Sequence, residues 1–171
     1  MLNIELQDFC STDDCRESIM TPFVRDGWKY ATDGRIMVRI KTDEPDDSGQ
    51  PHKRPNAAKL FEGFDVSKLE AFNLPELKGV ENQTCRYCSG NGVQTCSLGH
   101  DHDCDECDTT GLTEKWPEQD IGKARFSERF LVKIKNLPGL RFYPTTAETP
   151  ALFTFDNGEG ILLACVRKEC R

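Results

Sequence analysis

Histidine is scarce in this chain: His52, His100 and His102 are the three in 171 residues. None stands in a readable relation to Cys10, Cys165 or Cys170, which removes the usual Cys–His nucleophile pair. No phosphate-cradling glycine loop and no Gly-x-Ser-x-Gly elbow is present. No active site is read, so the chain is expected not to be an enzyme. Long apolar runs are also missing, and nothing approaches the ~20 residues of a membrane span. The start, MLNIELQDFC, has neither a basic n-region nor an apolar h-region, so no signal peptide is expected. A cytoplasmic location follows, where cysteines serve metals or packing rather than disulfides. Positive charge is in deficit: 22 Lys and Arg against 29 Asp and Glu leave a net charge of −7 and a pI near 5.0. That balance opposes general adhesion to nucleic acid, though it leaves room for a local basic face.

Cysteine is what the chain has in excess. Of nine, five lie between residues 85 and 107. Two Cys-x-x-Cys knuckles, Cys85/Cys88 and Cys104/Cys107, stand 15 residues apart, a zinc-site spacing. Each knuckle sets two thiolates on one side of a tight loop, and two knuckles supply a tetrahedron of sulfurs at about 2.3 Å from the metal. Gly90, Gly92 and Gly111 follow the knuckles and permit the positive φ of a chain reversing beneath a metal. Four cysteines close the coordination shell, so one structural zinc is expected, with no open position for water. A zinc deaminase would need His-x-Glu ahead of Pro-Cys-x-x-Cys, and neither occurs. Cys96, His100 and His102 lie in the loop between knuckles. They offer a second metal site or a substitute ligand, but Asp101, Asp103, Asp105, Glu106 and Asp108 favour a solvated acidic tip.

Cys85-Arg-Tyr-Cys88-Ser-Gly90-Asn-Gly92 resembles the Cys-x-x-Cys-x-Gly-x-Gly repeat of the DnaJ-type zinc finger. Cys104-Asp-Glu-Cys107-Asp-Thr-Thr-Gly111 keeps the cysteines and the last glycine, with Thr109 in place of the first glycine. That family carries four repeats and two zincs; two repeats here imply one zinc. No His-Pro-Asp tripeptide occurs, so a chaperone role does not carry over.

The flanking chain reads as α+β. Leu2, Ile4 and Leu6 alternate as a strand over residues 1–10, and Ser11-Thr-Asp-Asp opens a helix that Pro22 ends. A hairpin over 28–41 turns at Asp33-Gly34, with Ile36, Val38 and Ile40 on one side and Arg35, Arg39 and Lys41 on the other. Residues 42–58 read as a mobile loop with three prolines. A helical turn or two falls within 59–78. After the cysteine stretch come a strand at 121–126 and a helix from Ser127 to Leu137, whose inward stripe is Phe130, Leu131, Ile134 and Leu137. Pro138-Gly139 stops it. Strands at Leu140–Tyr143, Ala151–Phe155 and Gly160–Val166 follow. The order suggests duplicated β-α-β units with antiparallel sheet: a body of residues 1–80 and 115–171, and a zinc-finger insert at 81–114.

That order resembles one domain of a DNA sliding clamp. Ala31-Thr32-Asp33-Gly34-Arg35 is similar to the clamp hairpin, the stretch from Phe126 to Leu137 to its last helix, and Gly158–Cys165 to its closing strand. The resemblance implies a phage or bacterial protein of DNA metabolism. The expectation is a non-enzymatic protein acting through a protein partner. The alternatives are a nucleic-acid binder using the finger and the basic 123–141 face, with Lys123, Arg125, Arg129 and Lys133, or an acidic inhibitor that mimics DNA.

Overall fold

The computed structural model describes residues 4–47, 54–146 and 149–165. Parts of the 42–58 loop, His52, Cys170 and the end of the last expected strand lie outside these residues. The chain divides into two compact units: Met1–Leu77 with Glu118–Arg171, and Lys78–Pro117. No helix among the described residues is long and apolar enough to cross a membrane.

The first unit is mixed α and β, mostly antiparallel sheet with few helices. Its main sheet has six strands among the described residues: β1 (Phe23–Arg25), β2 (Trp28–Thr32), β3 (Ile36–Lys41), β10 (Arg141–Tyr143), β11 (Ala151–Phe155) and β12 (Gly158–Leu162). They lie in the order β1-β2-β3-β12-β11-β10, every pair antiparallel. The side-chain period of two sorts them onto two faces, and both are covered. Ala31, Ile36, Val38, Phe142, Phe153, Phe155 and Leu162 face one core with Leu6, Phe9, Phe126, Leu131 and Ile134. Phe23, Tyr30, Met37, Tyr143, Leu152 and Ile161 face a second core with Ala57 and Phe61.

The hairpin at 28–41 forms with Thr32 opposite Met37. Gly34 and Arg35 sit at its tip. Asp33 Oδ1 accepts the N–H groups of Arg35 (2.8 Å) and Ile36 (3.0 Å), the local bond that suits Asp to a turn. Arg39 is not a solvated punctuation mark. Its guanidinium lies 3.9 Å from the ring centroid of Phe61 and 4.3 Å from that of Trp28, and it pairs with Glu159. The planar cation thus closes the second core as a third layer.

Four expectations need correction. The N-terminal alternation is not a strand: Leu6–Phe9 is a 3-10 turn whose Leu6 and Phe9 are buried, two contacts three residues apart outweighing period two. The helix expected after Ser11 is also 3-10, Asp14–Ile19, with Asp13 capping Cys15 N and no buried residue. With no apolar stripe to bury, nothing holds it as an α-helix. Residues 121–126 are not one strand but part of a hairpin, β8 (Glu118–Ile121) and β9 (Ala124–Ser127), turning at Gly122. Among its described residues, the first half therefore lacks the leading strand and α-helix that a strict β-α-β duplication calls for. The later helix stands as α2 (Glu128–Ile134), capped by Ser127, with Leu131 and Ile134 fully buried and Phe130 and Leu137 packed beside them. Glu128, unread in the sequence, is wholly buried and accepts a hydrogen bond from Gln119. Within 59–78 lie α1 (Ala58–Phe61) and a 3-10 turn, Val66–Lys68.

Gly160 stands opposite Phe153 in the β11–β12 ladder and opposite Val38 in the β3–β12 ladder. A Cβ there would meet Phe153 Cζ at 2.2 Å and the Met37 carbonyl oxygen at 2.6 Å. The ring fills the space the glycine leaves, and the ladder carbonyl has no room to retreat. Gly160→Ala is expected to destabilise the first unit by about 1–3 kcal/mol, as overpacking does. A denaturant midpoint unchanged from the parent would refute this packing.

Candidate metal centre

Each half of the second unit has the pattern strand, knuckle, strand. β4 (Glu81–Thr84) leads into Cys85 and Cys88, and β5 (Val93–Thr95) leads out. β6 (Asp101–Asp103) leads into Cys104 and Cys107, and β7 (Leu112–Lys115) leads out. β4 pairs with β7, and β5 with β6, all antiparallel. The halves are related by an offset of 19 residues, and the bonds between them are reciprocal. Cys85 N donates to the Gly111 carbonyl at 2.8 Å, and Cys104 N donates to that of Gly92 at 2.9 Å. Gly92 N donates to Cys88 Sγ at 3.2 Å, and Gly111 N to Cys107 Sγ at 3.3 Å. Gln94 Nε2 donates to Cys104 Sγ at 3.4 Å, a contact with no signal in the knuckle motif.

The four sulfurs lie within 4.8 Å of one another, and all four cysteines are buried. Cys85 Sγ is 3.8 Å from Cys104 Sγ, and Cys88 Sγ is 3.7 Å from Cys107 Sγ. A tetrahedron with metal–sulfur bonds of about 2.3 Å has edges of about 3.8 Å. The spacing therefore fits a metal ion and is too long for disulfide bonds. The cluster can hold a metal ion in a closed shell of four thiolates. Burial works to raise the Cys88 thiol, but the Gly92 N–H and the neighbouring Cys107 thiol outweigh it and bring it down to about 7. Burial, with the Cys104 and Cys88 thiols beside it, pushes Cys107 up to about 12. Four close sulfurs share negative charge poorly without a cation at their centre.

The glycine geometry is equally paired. Gly92 (φ 75°) and Gly111 (φ 72°) each approach the other knuckle so closely that a Cβ would lie 2.1 Å from the carbonyl oxygen of Thr109 and Gly90 respectively. Gly90 has φ 88°, and Thr109, its counterpart, is held at φ 62°. A β-branched residue in the left-handed region is strained, so the departure from the repeat is sequence only: the backbone follows the glycine path.

Among the described residues, only these four cysteines gather three or more metal-ligating groups. Cys96 N bonds the His100 carbonyl at 2.9 Å across the tip turn, and His102 pairs with Gln94 in the strand register. Both histidines are exposed, as are the five acidic residues of the tip. Of the basic residues, Arg125 is clasped by Asp120 at 2.6 and 2.7 Å, and Glu118 lies 3.8 Å away. Lys133 Nζ donates to the Asp8 carbonyl at 2.7 Å. Lys123 and Arg129 are exposed. Burial pushes up the Cys10 and Cys165 thiols, with Glu118 adding to the effect at Cys165, a poor setting for a nucleophile.

Gly92→Ala is expected to weaken metal binding at least tenfold, since both the backbone conformation and the carbonyl of Thr109 oppose a side chain. Thr109→Gly is expected to strengthen it by a few-fold, through release of αL strain worth about 1 kcal/mol. Competition with a chelator reads both; equal affinities for the two variants would refute the paired-knuckle geometry. No protein-family model, curated protein or solved structure matches this chain.

Proposed function

We propose that the chain is a non-enzymatic zinc protein whose Cys85, Cys88, Cys104 and Cys107 hold one structural Zn2+ as a zinc finger, and that it works by binding a protein partner. The observation that carries this reading is the closed, buried sulfur tetrahedron. It leaves no position for substrate or water, so the ion shapes a surface instead of reacting. Zinc is the ion that four thiolates in this geometry favour in a reducing compartment. Val80, Tyr87, Val93, Leu98 and Leu112 of the second unit are exposed and are the apolar side chains it offers a protein partner.

A role in phage or bacterial DNA metabolism rests on the likeness of the body to a sliding-clamp domain. What supports it is the arrangement of two three-stranded meanders, β1-β2-β3 and β10-β11-β12, which meet at β3–β12. Each follows a helical segment that packs on the same core, through Leu6 and Phe9 or through Leu131 and Ile134. Direct nucleic-acid binding by the 123–141 face is the weaker reading, because Arg125 and Lys133 are already engaged within the fold.

Metal analysis is expected to give one zinc per chain, falling to near zero in Cys88→Ser/Cys107→Ser. Zinc release is expected as pH falls, because each ligand thiol must lose its proton to bind and regains it in acid. Among the described residues, the second unit has no hydrophobic cluster apart from its four cysteines. Chelation should therefore abolish hydrogen-exchange protection within 78–117 and leave the sheet of the first unit protected. Loss of protection throughout would contradict a structural role confined to the finger. A partner captured from lysate only in the zinc form, and retained after nuclease, fits the protein-binding reading; capture lost to nuclease defeats it.

A further inference from the structure

A polar cleft of about 630 Å3 opens in the first unit, lined by both N-terminal 3-10 segments, the β2–β3 turn and α2. Four cations reach it from three places in the chain: Arg16 from the second 3-10 segment, Arg35 from the β2–β3 turn, and Arg129 and Lys133 from α2. Three carboxylates, Asp8, Asp13 and Asp33, line it as well. The carboxylates are partly spent on the fold. Asp13 faces Arg16 at 3.5 Å, and Asp33 faces Lys133 at 3.9 Å while accepting two backbone N–H groups at the hairpin tip. Arg16 also donates to the Asp33 carbonyl at 3.2 Å, which fixes its reach. Among the described residues, Arg35 and Arg129 form no ion pair. Phe130 gives the cleft a half-buried aromatic wall, and the hydroxyls of Ser11 and Thr12 border it.

We propose that this cleft binds a small phosphate monoester, with Arg35 and Arg129 as the gripping pair and Phe130 as the wall for an attached ring. Two guanidiniums without carboxylate partners offer planar, bidentate donors, which match phosphate oxygens. Arg16 and Lys133, held by backbone carbonyls, add positive charge without needing to move. The volume falls in the range of small-ligand sites, about 300–1,000 Å3. The overall charge of −7 disfavours a polyanion spread over the surface but leaves a local, short-range site intact, because added salt screens the distant charges. All of its lining residues belong to the first unit, and the proposal does not rest on the cysteine cluster.

The test is an NMR titration of the full zinc-loaded chain at about 0.15 M salt, where distant charges are screened, with three probes: inorganic phosphate, a nucleoside monophosphate and a single-stranded oligonucleotide. The expected result is saturable binding of the monophosphate, with shifts confined to residues 7–16, 33–35 and 129–133. Phosphate should bind at the same residues but more weakly. Arg35→Gln/Arg129→Gln, both on exposed side chains, should weaken binding at least tenfold, while Arg141→Gln on β10 should leave it unchanged. Undiminished binding in the double variant would overturn the proposal. So would an absence of saturation up to about 10 mM ligand, an affinity too weak for specific use. An oligonucleotide bound far more tightly than the monophosphate, with shifts spreading beyond the cleft, would overturn the small-ligand assignment.

Discussion

The pairing of β3 with β12 is the constraint on which the first unit depends. It joins Ile36 to Leu162 and Ile40 to Gly158, so the chain from Thr42 to Leu140 must leave the sheet and return to it. Closing so long a loop costs entropy that only tertiary contacts recover. The ladder recovers it by making one six-stranded sheet from two meanders too narrow to bury both faces alone. Gly158 and Gly160 are where this demand shows in the sequence. At Gly158 a Cβ would approach the Arg39 carbonyl oxygen at 2.3 Å, and Arg39 itself spans to Glu159 across the same pair of strands. Among the described residues of the first unit, the tightest backbone approaches and the least exposed ion pair thus fall on one strand boundary.

The second unit solves its stability by different means. It has very little apolar surface to bury, and its described buried residues are four cysteines and two glycines. A segment of this kind does not fold on hydrophobic burial. The four close cysteines can hold a metal ion instead, an interaction worth about 10–16 kcal/mol in zinc-finger peptides. Each half then supplies the carbonyl, the N–H and the flat glycine that the other half requires. This reciprocity explains why a Thr at position 109 is held in a conformation that suits glycine: the partner knuckle packs against its backbone and over-determines it.

The two units also handle charge differently. Around the finger the carboxylates of the tip stay in solvent. In the sheet unit, cations are drawn into specific roles: Arg39 in an aromatic stack, Arg125 in a carboxylate clasp, Lys133 on a backbone carbonyl. Spare positive charge is left at the cleft beside α2, where Arg35 and Arg129 meet no carboxylate among the described residues.

The cysteine cluster was readable from the sequence because its information is local. Ligand spacing within each knuckle, and the glycines just after it, determine a turn that needs no distant residue to define it. The same holds for α2, with its Ser127 cap and its 3.6-residue stripe, and for the hairpin signalled by Asp33-Gly34, whose two-residue loop is Gly34-Arg35. The N-terminal segment misled because alternation over a few residues does not separate a strand from a 3-10 turn whose two buried residues are three apart. Which basic side chains are free was not legible for a deeper reason. Whether Lys133 is free depends on Asp8, 125 positions away, and whether Arg39 is solvated depends on Glu159, 120 positions away. Periodicity and spacing report on neighbours along the chain. Which charges are spent and which remain available was decided only when the sheet closed and brought those distant residues together.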